Sequence, residues 1–221
     1  MTPIICTVDA ALLTLRDEGL SVALLKREHE PYKGVAALPG GYIHADEDLC
    51  AGDAALRVLK KKTGIDVPYL EQLATFSGPA RDPRGWSVSI AYYALVPYEI
   101  IARAAHPGVQ LAGVDRLHTL PFDHRAIVET ALERLRGKSQ YSSLPCHLAG
   151  EVFTLPQLQK VYEALMGEPL NKVSFRRKMQ EMDAIEAIAG EMEPASAHRP
   201  AQLYRLKQEF RAQLRLLKRG L

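Results

Sequence analysis

Over its first 30 residues the chain places apolar residues in short runs, without a helical period. Ile4–Val8 and Ala11–Leu15 read as extended, Asp17-Glu18-Gly19 as a turn, and Leu20–Leu25 as the returning strand of a β-hairpin. Leu38-Pro39-Gly40-Gly41-Tyr42 is a tight loop. From about Leu49 to Lys62 the period becomes helical and stops at Gly64, a residue suited to a left-handed C-terminus. Leu70–Phe76 and Trp86–Val96 are strand-like. Phe122–Lys138 is helical, with Ile127, Ala131 and Leu135 spaced every four residues. Mixed strands with interposed helices predict an α/β domain over residues 1–138, a mixed sheet between helices.

The pattern then breaks, and 139–152, containing Gln140-Tyr141-Ser142-Ser143-Leu144-Pro145, reads as a linker. A second unit, 153–221, opens on Thr154-Leu155-Pro156-Gln157. This is a capping box, with Thr at the N-cap, Pro in the first turn and Gln three places on. Leu158, Val161, Tyr162 and Leu165 follow the spacing of one buried helix face. After the break Gly167–Asn171, a second helix is expected over Lys172–Met182 with Phe175, Met179 and Met182 inward. Two strands, Ile185–Ala189 and Gln202–Leu206, flank a polar loop over Gly190–Ala201, and a basic helix is expected over Lys207–Arg219. Helix, turn, helix and hairpin predict an α+β winged helix-turn-helix domain.

A net charge of +2 is uninformative, but its distribution is not. Residues 1–138 balance to −1 and residues 139–221 to +3, which suggests different tasks for the two halves. No apolar run approaches the roughly 18 residues of a membrane span, and the first ten residues show no export signal. Cys6, Cys50 and Cys146 have no metal-ligand spacing, as expected of unpaired thiols in a reducing cytoplasm.

The stretch from Leu38 to Ile65 carries candidate chemistry. It resembles the Nudix box at Gly41, Glu47, Arg57, Leu59, Gly64 and Ile65, although nine residues separate Glu47 from Arg57 where the signature has seven. In that family, glutamates one, four and five places after the arginine share a helix face. They hold Mg²⁺ against a pyrophosphate. Here those places are Val58, Lys61 and Lys62, so formal charge goes from −3 to +2. An ammonium group repels a cation, and the sequence therefore predicts no metal site and no catalytic residues. Lysines at a helix end also suit the macrodipole. Alternatively, they now meet the ligand's phosphates in place of the metal.

Gly78–Trp86 reads as a Pro/Gly loop whose Arg81 and Arg84 suit phosphate or ribose-linked adenine. The run Arg81-Asp82-Pro83-Arg84-Gly85-Trp86 resembles the ADP-ribose-handling branch of Nudix proteins, as does Phe122-Asp123-His124, though Asp123 also suits an N-cap. Together with Phe153–Gln159, Ser174–Lys178 and Arg199–Tyr204, these segments make the chain similar to the NrtR family of Nudix-related regulators of NAD metabolism. The resemblance implies a homodimer that represses NAD-biosynthesis or salvage operons and leaves operator DNA on binding ADP-ribose, with no cofactor besides that effector or a related NAD metabolite. It implies ligand contacts at Arg27, Gly40, Gly41, Lys61, Lys62, Arg81, Arg84, Asp123 and His124.

On the second helix, Val173, Arg177 and Gln180 point away from Phe175, with Ser174 and Arg176 flanking. That is an apolar back and a basic, hydrogen-bonding front for the major groove. Lys172 suits phosphate, and His198 and Arg199 in the wing suit backbone or minor groove. Four basic residues on 11 helical positions also describe a solvated face. Two other functions remain open: an active ADP-ribose pyrophosphatase with an accessory DNA-binding domain, and a ligand-independent adaptor.

Overall fold

The computed structural model describes residues 3–104, 106–193 and 200–217. The chain divides into two compact units, Met1–Glu133 and Arg134–Leu221.

The first unit is built on one mixed sheet. Strand β1 (Ile5–Arg16) runs unbroken where the sequence suggested two segments, and turns into β2 (Gly19–Lys26). Short strands β3 (Ala36–Ala37) and β4 (Gly40–Tyr42) pair antiparallel with β2 and β1 respectively. On its other edge β1 takes β6 (Gly85–Leu95) in parallel, and β6 takes β5 (Leu70–Asp82) antiparallel. The expected loop over Gly78–Trp86 is instead a hairpin end. Asp82 pairs with Gly85, leaving only Pro83 and Arg84 in the turn. Gly85 takes φ +148°, which a side chain would oppose, and Asp82 binds both the amide and the guanidinium of Arg84.

Helix α1 (Ala51–Thr63) ends at Gly64 with φ 72°. Its Ala54, Ala55, Val58 and Leu59 pack on Val8, Ala10 and Leu12 of β1. Because strand side chains alternate, the odd residues of β1, Asp9 among them, face the opposite side. Between β6 and the last helix of this unit lie α2 (Tyr98–Ala104) and β7 (Val109–Gly113), which pairs with β2 and was not foreseen. Helix α3 (His124–Ser139) follows, with Ile127, Val128, Ala131 and Leu135 fully buried.

In the second unit, residues 139–152 are folded, correcting the expected linker. Leu144–Leu148 forms a buried 3-10 turn, and Cys146 joins a core of Phe153, Leu158, Tyr162, Phe175, Met179, Met182 and Leu206. Apolar Leu144, Cys146 and Leu148 explain this: they lose less by packing than by solvation. Strand β8 (Phe153–Thr154) leads into α4 (Leu155–Met166), whose capping box forms in full. Gly167 (φ 77°) ends α4. The turn is then held by Glu163, which accepts from the Leu170 amide at 2.9 Å. Helix α5 (Lys172–Met182) has the expected bounds and buried face. Strands β9 (Ile185–Glu193) and β10 (Ala201–Leu206) complete a three-stranded sheet in the order β8-β10-β9.

The expected basic helix over Lys207–Arg219 is replaced, through residue 217, by a 3-10 turn at Gln208–Phe210 and irregular chain with one isolated bridge from Leu216 to Ser142. Phe210 and Leu217 enter the core, and the Ser143 and Leu217 amides donate to the Arg215 and Tyr141 carbonyls. Arg215 Nε also donates to the Met182 carbonyl at the end of α5, where carbonyls lack an intrahelical partner. These tertiary partners outweigh the local helical pattern of Lys207–Arg219.

Candidate functional site

Asp9 is the buried centre of the first unit's polar cluster. Its strand neighbours are apolar, so an ionised carboxylate there needs compensation. Arg81 Nη2 donates to Asp9 Oδ2 at 2.7 Å, and Ser89 Oγ donates to the same oxygen at 2.6 Å. His124 lies 3.4 Å from Asp9 Oδ1 through Nε2, while its Nδ1 accepts from the Leu38 amide at 3.0 Å. The imidazole proton therefore sits on Nε2, facing the carboxylate. Burial on its own would raise the Asp9 pKa, but His124, Ser89 and Arg81 together hold it well below the usual carboxylate range. Arg81 Nε also donates to Asp123 Oδ2 at 2.9 Å.

Arg81, expected from sequence to meet the ligand, is here held by carboxylates. Its side chain is 5% exposed and paired on both sides, and it ties β5 to β1 and to the start of α3. His124 is likewise buried. Asp123 directs a carboxylate oxygen at Arg81, in place of the N-cap bond considered from sequence. These three residues form the floor of the cluster.

The glycines fit the same geometry. Gly40 is directly opposite Asp9 in the β1–β4 pair, and a Cβ there would lie 1.9 Å from Asp9 Oδ1. Gly41 faces the other side, where a Cβ would lie 3.0 Å from Val58 Cγ2. Val58 is buried against this turn, an apolar group where the Nudix box has a carboxylate.

Above the floor lies a group of cations. Lys62 Nζ donates to the Gly40 carbonyl. Its pKa is lowered by burial first and then by Arg27, against raising contributions from Asp9 and Glu28. Arg27 follows β2, donates to the Pro31 carbonyl at 2.7 Å and lies 4.8 Å from the Phe122 ring centre. Burial, then Arg84, lowers its pKa as well. Arg84 is held bidentately by Asp82 and donates to Tyr42 Oη at 2.6 Å. The structure thus brings Arg27, Gly40, Lys62 and Arg84 together. Lys61 belongs to the same helix end and adds charge beside Lys62, whereas Lys60 pairs with Asp66.

Sequence reasoning missed Asp9, Ser89, Asp82, Tyr42 and the Phe122–Tyr32 pair. One signal was present: Asp9 is a lone carboxylate between apolar Val8 and Ala10. Phe122 (φ 56°) and Tyr32 (φ 65°) both hold left-handed backbone and meet edge to face at 5.0 Å. Non-glycine strain of this kind gathers at functional sites. Sequence reasoning also missed Asp48, which with 2% side-chain exposure binds Arg57 at 2.6 Å, closer than Glu47 does at 3.4 Å. The Arg57 hydrogen bond pulls the Asp48 pKa down to about 2, and Asp48 also accepts from the His44 amide at 2.7 Å.

In the second unit Lys172, Ser174, Arg176, Arg177 and Gln180 are exposed on α5, opposite buried Phe175, Met179 and Met182. Asn171 caps the helix, accepting from the amides of Val173 and Ser174 at 3.1 and 3.0 Å. His198 and Arg199, expected to contact DNA from the wing, lie outside the described residues.

Comparison with known proteins matches residues 7–131 to the NUDIX domain and residues 145–206 to the NrtR DNA-binding winged helix domain. The "ADPR responsive transcriptional repressor NtrR" of Acinetobacter baylyi is 39% identical over 204 residues, 90% of this chain and 80% of the relative. The crystal structure of Shewanella oneidensis NrtR complexed with a 27mer DNA is 38% identical, with a TM-score of 0.88 over 98% of this chain and 99% of that one. The NUDIX domain of the same Shewanella protein, in a cocrystal structure with ADP ribose, is also 38% identical. Its TM-score is 0.56, over 61% of this chain and 90% of that one.

Proposed function

This chain belongs to the NrtR family, a NUDIX domain followed by an NrtR DNA-binding winged helix, and on that premise we propose that it is an ADP-ribose-responsive repressor of NAD-biosynthesis and salvage genes. It acts in the cytoplasm as a homodimer on a palindromic operator. It binds DNA through α5 and releases it when ADP-ribose fills the first unit. ADP-ribose is a nucleoside diphosphate joined to a second ribose, so its recognition requires positive charge for the diphosphate and flat or apolar surface for the adenine.

The observation that carries the ligand reading is the cation group around Gly40. Burial lowers the pKa of Lys62 and of Arg27, and each is lowered further by a neighbouring cation. An anionic diphosphate relieves that repulsion. Tyr42 and Phe122, each with an arginine over its ring, supply aromatic surface at the same place.

The chain binds its nucleotide without hydrolysing it. Supporting this, Val58, Lys61 and Lys62 occupy the positions of the box carboxylates. A cation in place of the metal neutralises the diphosphate but activates no water.

The test is calorimetric titration of the full chain with ADP-ribose, beside incubation with Mg²⁺ or Mn²⁺ while watching for AMP. Wild type is expected to bind and to release no AMP. Lys62→Ala and Arg84→Ala should each bind about 10- to 100-fold more weakly, since a hydrogen bond to a charged group is worth about 1.5–3 kcal/mol. AMP release near the ordinary enzyme range of about 1–10³ per second would return the chain to the hydrolases.

A further inference from the structure

Val173 is 77% exposed, more than any other large apolar side chain described in the second unit. It lies in the first turn of α5, where neither burial nor helix propensity favours a β-branched residue. A single exposed valine is ordinary on a protein surface, so its place in the pattern carries the argument. Arg176, Arg177 and Gln180 stand three, four and seven positions after it and share its exposed stripe, opposite the buried face. The first-turn amides of Val173 and Ser174 are already taken by the Asn171 side chain. Contacts from this end of the helix therefore fall to side chains.

The major groove presents hydrogen-bonding edges, which arginine and glutamine read, and one apolar group, the C5-methyl of thymine. We propose that Val173 reads a thymine by packing against that methyl. The inference rests on α5 being the helix that enters the major groove. Valine in a helix is almost confined to one rotamer, so its methyls are held in place before the DNA arrives. A helix rises about 1.5 Å per residue and DNA about 3.4 Å per base step. Four residues along α5 thus correspond to about two base pairs, and the thymine lies within that distance of the base read by Arg177.

The test starts from a pool of random-sequence duplexes, from which the full chain selects its preferred duplex. Each thymine is then replaced singly by deoxyuridine, which removes only the methyl, and Kd is measured for wild type, Val173→Ala, Val173→Thr and Arg177→Ala. At one thymine in each recognition site the replacement should weaken wild type about fourfold, the effect of burying one methyl. Val173→Ala should lose a similar factor on the unmodified duplex and be indifferent to deoxyuridine at that position. Val173→Thr, which keeps one methyl, should remain sensitive. Melting temperatures should match wild type, because Val173 is outside the core.

The proposal is overturned if wild type tolerates deoxyuridine at every position, or if Val173→Ala stays as sensitive as wild type at the same thymine. If Arg177→Ala keeps the wild-type duplex preference, α5 is not the reading helix and the proposal falls with that assignment. If Arg177→Ala loses the preference while no methyl effect is seen, the proposal about Val173 falls alone.

Discussion

At the scale of single residues, the first unit depends on how Asp9 is accommodated. Its carboxylate occupies the space that a side chain at position 40 would need, so Gly40→Ala must displace it from Arg81. That substitution is expected to destabilise the unit by about 2–3 kcal/mol, through overpacking and weakening of a buried pair. Gly41→Ala meets one methyl of Val58 and should cost less, about 1 kcal/mol. Urea unfolding followed at Trp86, the single tryptophan, reports on this unit, and equal midpoints for the two variants would contradict the ordering. Lys62 allows a titration test. Its pKa lies below the ordinary 10.5 in the free protein, and a bound diphosphate favours the charged ammonium and raises it. Between those two values binding must take up a proton, so ADP-ribose affinity should fall as pH rises through the free-protein value. Calorimetry in alkaline buffers of differing ionisation enthalpy should show the uptake in wild type and its loss in Lys62→Met.

At the scale of elements, caps and anchors decide where helices start. The capping box of α4 uses the Thr154 hydroxyl and the Gln157 amide reciprocally. Thr154→Ala should cost about 1 kcal/mol, read as a lowered melting transition by circular dichroism, with Thr154→Ser near wild type. Ahead of α1, Asp48 joins Arg57 to the amide of His44. Its pKa is about 2 in the folded chain against 3.8 ordinarily. A depressed carboxylate contributes stability that is complete above its unfolded value and lost as pH falls through the folded one. Exchange of the His44 amide should therefore accelerate between about pH 4 and pH 2, after correction for intrinsic rates. Asp48→Asn should exchange quickly across the whole range, and parallel curves for the two proteins would remove Asp48 from this role.

At the scale of the whole molecule, one equilibrium links the two proposed binding events. If ADP-ribose weakens DNA binding by some factor, DNA must weaken ADP-ribose binding by the same factor. Titrating each ligand in the absence and presence of the other should return equal ratios, and ADP-ribose alone should raise the melting temperature. Unequal ratios would mean that a further species, such as a change in subunit association, enters the cycle. The helical and strand segments of both units were largely legible beforehand, whereas residues 97–121, with α2 and β7, carried too short a periodicity to declare themselves.

What the sequence determined alone is what neighbouring residues decide among themselves. The bounds of α5, the stop of α1 at Gly64 and the capping box at Thr154 are all set within a turn or two of chain, where spacing, side-chain caps and backbone freedom act directly. The charge reversal at Val58, Lys61 and Lys62 belongs here too, because a helix face follows from spacing. Tertiary structure decided the rest. Arg81 reads as a loop cation until folding brings Asp9 to it from 72 positions away. Ser89 reaches the same carboxylate across 80 positions, and Leu38 fixes the His124 ring across 86. Ser139–Val152 and the tail after Lys207 look like linker and helix until their apolar residues find a core and their backbones find each other. A buried charge or a buried backbone group is stabilised only by a partner at hydrogen-bond distance, and the fold, through contacts remote in sequence, supplies that partner.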